Sequence, residues 1–234
     1  MGRWVFRLCP DAGEGGGSFR SAVGPRSPGP FVEPAADSQA DAVRRARGKV
    51  RRYCAANRLN RLGTLTYAGT GNHDPAQLRD DVGRFFRRLR GEGERFPYLW
   101  VPEWHPGGHG LHVHFAVGRF IPVGAIKRAW GHGFVHITLL GDLPVGSGTL
   151  GEARLAARYL AKYLGKDLGA NAAGLHRYEV AESFQPKAHS ITAETADEAL
   201  GWAAVAMSAW PAHIWRSREE EGWAGPPAVW ASWA

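Results

Sequence analysis

Residues 98–117, YLWVPEWHPGGHGLHVHFAV, constrain the fold more than any other stretch of the chain. Two runs rich in β-branched and aromatic side chains flank the turn PGGHG, a pattern that predicts an antiparallel hairpin. An isolated hairpin is marginal in water, so more strands and a covering layer must come from elsewhere. The sequence supplies them in alternation. Val43, Ala46, Val50, Tyr53 and Cys54 recur at helical spacing between Ser38 and Leu59, and RLGTLTY, residues 61–67, reads as a strand closed by the loop AGTGNHDP. Pro75 opens a helix to about Arg90, with Leu78, Val82, Phe85, Phe86 and Leu89 as its stripe. A short helix from Pro122 to Trp130 and the strand GFVHITLL, 133–140, follow the hairpin, and a Gly-rich loop, 144–151, leads to a helix carrying YLAKYLGK, 159–166. The expected fold is α+β, a mainly antiparallel sheet covered by helices.

The ends read differently. Residues 1–37 are expected to be a flexible leader, because 10–37 are rich in Gly, Pro and Ser without periodicity. Residues 38–210 form the expected domain, closing with a core helix over 199–210 opened by Thr195 and Glu198 in capping-box spacing. Residues 211–234 are left as a Trp-rich tail.

With 29 Lys and Arg against 22 Asp and Glu, the net charge of +7 favours a polyanionic partner, nucleic acid before membrane. RRARGKVRR places Arg44, Arg45, Arg51 and Arg52 on the first helix as candidate phosphate contacts. Two cysteines make neither a disulfide framework nor a zinc quartet, which fits a reducing, cytoplasmic setting. The start has no apolar signal segment and no run is long enough to span a bilayer, so a soluble protein without a membrane partner is expected. No GxxxxGK[ST] phosphate loop is present.

Two motifs carry chemistry. Side chains two apart on a strand share a face, so His112 and His114 project together about 7 Å apart, while Val113 points into the core. Glu103 alternates onto the partner strand, opposite His112 or His114. Two imidazoles and a carboxylate leave coordination positions open, which suits a divalent ion that polarises a phosphoryl oxygen. His105 and His109 are alternative or substrate-facing ligands. On the last helix, Tyr163 falls about 40° from Tyr159, with Lys162 and Lys166 within about 60° on the other side. Ala157, Leu160, Ala161, Leu164 and Leu168 form the opposite, packing stripe. Phenols beside ammonium groups suit nucleophilic attack on a phosphodiester, since cations favour phenolate and balance charge developing on phosphorus.

GTLTY, HVHF and YLAKYLGK, in this order and spacing, resemble the three motifs of the HUH endonucleases, specifically the two-tyrosine rolling-circle replication initiators of plasmids and single-stranded phages. The resemblance covers residues 60–168 by motif. It implies an RRM-like palm and a nickase. A Mg²⁺ or Mn²⁺ ion on Glu103, His112 and His114 would polarise the scissile phosphate. Tyr159 or Tyr163 would attack, leaving a 5′-phosphotyrosine and a free 3′-OH, with Lys162 and Lys166 balancing charge. Thr64 and Thr66, on the first-motif strand, join the arginines as expected DNA contacts. Implied partners are single-stranded or hairpin origin DNA and, since no helicase motifs follow, a bacterial host helicase and polymerase. A conjugative relaxase or tyrosine transposase is the alternative within the class, although three clustered histidines and an N-terminal tyrosine are absent. Outside it stand a non-catalytic RRM-like nucleic-acid module and a hydrolytic metalloenzyme with dispensable tyrosines.

Overall fold

A computed structural model describes residues 2–21, 36–91, 93–138, 148–166 and 175–233. The expected end of the strand at 139–140, the first half of the Gly-rich loop, Leu168 and residues 22–35 lie outside these, and the loop's second half, 148–151, is helical. The chain divides into two compact units, Met1–Pro34 with Pro186–Ala234, and Ala35–Gln185. Each contains one five-stranded antiparallel sheet.

The first unit corrects the expected leader and tail. Strands β1 (Arg3–Cys9) and β2 (Glu14–Arg20) pair as a hairpin, and β8 (His189–Ala193), β9 (His213–Arg216) and β10 (Ala228–Ser232) complete a sheet in the order β8-β1-β2-β10-β9. The glycines that made β2 look like a loop are what let it lie close to β1. A Cβ on Gly17 would sit 2.4 Å from the Val5 carbonyl oxygen. The expected core helix is α5 (Ala196–Met207). The Thr195 side chain accepts the Glu198 N–H, while Glu198 accepts from the Glu194 N–H, one residue short of a closed box. α5 buries Ala199, Leu200 and Ala203 against Phe6, Leu8 and Ala231, but leaves Trp202 and Val205 exposed.

The second unit follows the expected order closely. α1 (Ala36–Ala56), β3 (Arg61–Tyr67), α2 (Pro75–Arg90), β4 (Tyr98–Trp104), β5 (Leu111–Val117), α3 (Val123–Trp130), β6 (Gly133–Thr138), α4 (Gly148–Ala161) and β7 (Glu179–Val180) build a sheet in the order β6-β3-β5-β4-β7. Alternation along each strand sends Leu65, Trp100, Val113 and Phe115 to one face, where Leu78, Val82 and Phe85 of α2 and Ile126 and Trp130 of α3 cover them. Leu62, Leu99, Val101 and Ala116 point the other way, onto Val50, Tyr53 and Cys54 of α1 and Ala156, Ala157 and Leu160 of α4. α4 stops at Ala161, so the octet straddles a helix end. Lys162, Tyr163 and Lys166 continue in tighter turns, their N–H groups donating to the carbonyls of Tyr159, Leu160 and Tyr163. Among the described residues no helix is long and apolar enough to cross a membrane.

The turn of the β4–β5 hairpin is clasped by the loop after β3. The Leu111 N–H donates to the Asn72 carbonyl at 2.7 Å, and Asn72 bridges Gly110. Gly71 has φ +82°, and a Cβ there would lie 1.9 Å from the His109 carbonyl oxygen. Gly71→Val should therefore destabilise the unit by about 1–3 kcal/mol in urea melts, through strain and a displaced turn. An unchanged midpoint would show that the clasp contributes nothing.

Candidate active site

Register decides which side chains meet. Glu103 lies opposite His112, His112 opposite Thr66, and His114 opposite Thr64. All share the face that α1 and α4 cover at its other end. Glu103 and His114 are buried, at 7% and 6% exposed. The His114 Nε2–H donates to Glu103 Oε2 at 2.6 Å, and Lys166 Nζ donates to Glu103 Oε1. Each imidazole is held from behind by a threonine: His114 Nδ1 lies 3.0 Å from Thr64 Oγ1, and His112 Nδ1 lies 3.1 Å from Thr66 Oγ1. A hydroxyl can donate or accept, so these contacts support either tautomer of the ring.

The tyrosines close over this row. The Tyr163 ring stacks on the His114 ring at 3.8 Å and 14°, while Tyr159 meets His114 edge-on at 6.3 Å. The two tyrosine rings are 5.5 Å apart. Lys166 Nζ is 5.1 Å from the Tyr163 ring centre, and Lys162 Nζ is 5.5 Å from that of Tyr159. His105 stacks on His112 at 4.4 Å and 11°. His109 instead turns its Nε2 to the Tyr67 carbonyl, 3.0 Å away.

Charge states follow from burial and these partners. Burial, then the neighbouring His105 and His114, pushes His112 down to about 4, so its ring is neutral near pH 7. Burial lowers His114 as well, against the opposing pull of Glu103. Burial would raise Glu103, but the hydrogen bonds from Lys166 and His114 outweigh it and hold the carboxyl below its ordinary range. Tyr163 runs against expectation. Burial, the neighbouring Tyr159 and the Glu103 charge all raise its phenol, and the ammonium expected to favour phenolate is engaged by Glu103.

The donor set suits a divalent cation. The buried His112 Nε2 has no hydrogen-bond partner while its Nδ1 is engaged by Thr66, and with the ring proton on Nδ1 the Nε2 lone pair is left for a cation. Among the described residues, however, no three His, Cys, Asp or Glu side chains form a ready-made cage, since Glu103 is drawn onto His114 and Lys166.

Seven of the residues expected from the sequence, Glu103, His112, His114, Tyr159, Tyr163, Lys162 and Lys166, thus gather at one end of the sheet face. The arginines are arranged differently. Arg44 and Arg45 are exposed on α1 and both pair with Asp41, at 2.8 Å and 3.9 Å, while Arg51 and Arg52 are half-buried farther along. Thr64 and Thr66, expected to touch DNA, give their hydroxyls to the imidazoles. That role was missed, although pairing GTLTY with HVHF in antiparallel register would have revealed it.

One face of the antiparallel sheet thus bears a His–Glu row with a pair of tyrosines packed over it. Residues 60–168 match the family model of the replication-associated protein ORF2/G2P, a segment running from the start of β3 to just past the tyrosine turn. The match associates this segment, somewhat under half of the chain, with replication-associated proteins. No curated protein and no solved structure matches the chain.

Proposed function

We propose that this chain initiates rolling-circle replication by nicking and rejoining a single DNA strand at an origin, through a covalent 5′-phosphotyrosine. The observation that carries this reading is the stacking of Tyr163, with Tyr159 beside it, directly on an imidazole of the His–Glu row. The phenol oxygen of Tyr163 or Tyr159 attacks phosphorus and gives up its proton. The bond to the 3′ oxygen breaks, and that oxygen leaves as a hydroxyl from which a polymerase extends. Reversal by the new 3′-OH rejoins the strand and restores the tyrosine, and a second phenol lets one end be held while another is cut.

His112, His114 and Glu103 would hold Mg²⁺ or Mn²⁺, and two nitrogen donors lean toward Mn²⁺, since Mg²⁺ prefers oxygen. When bound, such an ion polarises the scissile phosphate and stabilises its developing charge. Thr64 and Thr66 fix the imidazoles, Lys162 and Lys166 balance charge near the phenols, and Arg51 and Arg52 on α1 offer contacts to the strand backbone. The family match supports a replication role. A purely binding module is disfavoured, because the two central strands present Thr and His on this face instead of the exposed aromatics that stack bases.

The test uses 3′-labelled single-stranded oligonucleotides tiling the DNA around the chain's own coding region. With Mn²⁺ the native protein should acquire label covalently, each single Tyr→Phe variant should retain part of it, and Tyr159→Phe with Tyr163→Phe should retain none. An adduct surviving in the double variant sinks the proposal.

A further inference from the structure

We infer that Lys166 is a built-in counter-cation of Glu103 that a divalent ion must displace, so that loading the site and freeing the Lys166 ammonium are one event. The inference rests on the metal-dependent reading above, and three observations carry it. Glu103 is buried, and a carboxylate in such a place needs a cation or full hydrogen bonding. Both its oxygens are engaged within the chain, one by Lys166 Nζ and the other by His114 Nε2–H. These are the oxygens a cation shared with His112 and His114 would take, while the buried Nε2 of His112, the residue opposite Glu103, has no hydrogen-bond partner.

Lys166 is suited to being displaced. Its side chain is 49% exposed and sits past the end of α4, so the ammonium can leave Glu103 for water without unfolding anything. It does not have far to go to become useful. Nζ is already 5.1 Å from the Tyr163 ring, so an ammonium released from Glu103 stays beside the phenol and beside the place where a phosphate must approach it. The same lysine then serves two partners in turn, the carboxylate and then the phosphoryl charge. A site so wired keeps the ammonium engaged on the carboxylate until the ion arrives. Lys162 provides the internal contrast, since it stands over Tyr159 and its ammonium is not the one on Glu103.

Linkage makes this measurable. Whatever lysine gains on Glu103, the divalent ion loses on binding. In Mn²⁺ titrations of the whole chain followed by calorimetry, Lys166→Met should bind on the order of tenfold more tightly than the native protein, the effect of removing one charge-assisted competitor. Lys162→Met removes the same charge from the neighbourhood and should change affinity by less than about twofold, as expected for a solvent-screened ammonium that does not compete. A second measurement needs no variant: amine acylation mapped by mass spectrometry should rise at Lys166 when Mn²⁺ is added and stay constant at exposed Lys127. The inference is overturned if Lys166→Met binds no more tightly than Lys162→Met, if no form binds Mn²⁺, or if Lys166 labelling does not rise. These outcomes are separate from the tyrosine test, because adduct formation can persist with a lysine that never competes.

Discussion

His114→Ala should slow nicking by on the order of 10³-fold, the scale of several kcal/mol of charge stabilisation at phosphorus. This one ring meets three groups of the proposed site: Glu103 at 2.6 Å, Thr64 at 3.0 Å and the face of Tyr163 at 3.8 Å. Removing it deprives the site of a nitrogen donor, removes one of the two hydrogen bonds that hold Glu103, and takes away the ring on which Tyr163 stacks. Thr64→Val isolates the supporting contact, since valine keeps the shape but cannot bond Nδ1. Its expected cost is about 10–100-fold, the range for groups that orient a metal-binding histidine. Thr66→Val should behave alike through His112. Single-turnover cleavage of a labelled oligonucleotide at saturating Mn²⁺ measures all three, with urea melts to show that the variants are folded. A His114→Ala protein nicking within tenfold of native would move the chemistry off this sheet.

The second large effect concerns stability. Asp81→Ala should cost about 2–4 kcal/mol, less than the loss of a wholly buried ion pair because Arg84 is 41% exposed. Asp81 itself is 2% exposed and accepts from Tyr67 Oη at 2.8 Å, from Gln77 Nε2 at 3.0 Å and from Arg84, with His132 Nε2 3.3 Å away. It ties the end of β3 to α2 and to the turn after α3. Burial alone would raise its carboxyl, but the hydrogen bonds from Arg84, Tyr67 and Gln77 outweigh this and hold it below the ordinary 3.8. A carboxyl depressed on folding contributes stability that is present above its unfolded value and lost as pH falls through its folded value. The difference between native and variant should therefore be full near pH 7 and shrink below about pH 4. The exposed neighbour Asp80 is the control, and Asp80→Ala should stay within about 0.5 kcal/mol of native. Equal effects at the two positions, or a difference independent of pH, would remove the network's role.

Much of the second unit was readable locally. The β3, α2 and hairpin boundaries came out as expected because alternation and a 3.6-residue stripe are short-range signals, and Pro75 and the turn glycines punctuate them. His112, His114 and Glu103 were legible as a group because period two puts them on one face. Asp81 was not, since a single carboxylate beside an apolar stripe looks like solvent-facing polarity until Tyr67 and His132 are known to lie against it.

The sequence by itself determined that this chain has an antiparallel sheet carrying two histidines and a carboxylate, and a segment presenting two tyrosines with their lysines. Those facts depend on neighbours a few residues away. Only the tertiary structure decided that the N-terminal Gly-rich segment is a strand, because the contacts that demand glycine there come from β1 and from β10, more than two hundred residues on in the sequence. It alone decided that the threonines serve the imidazoles and that Lys166 holds Glu103, 63 residues away. Such pairings are set by strand register and helix placement, where a one-residue slip would change every partner while leaving the local pattern the same.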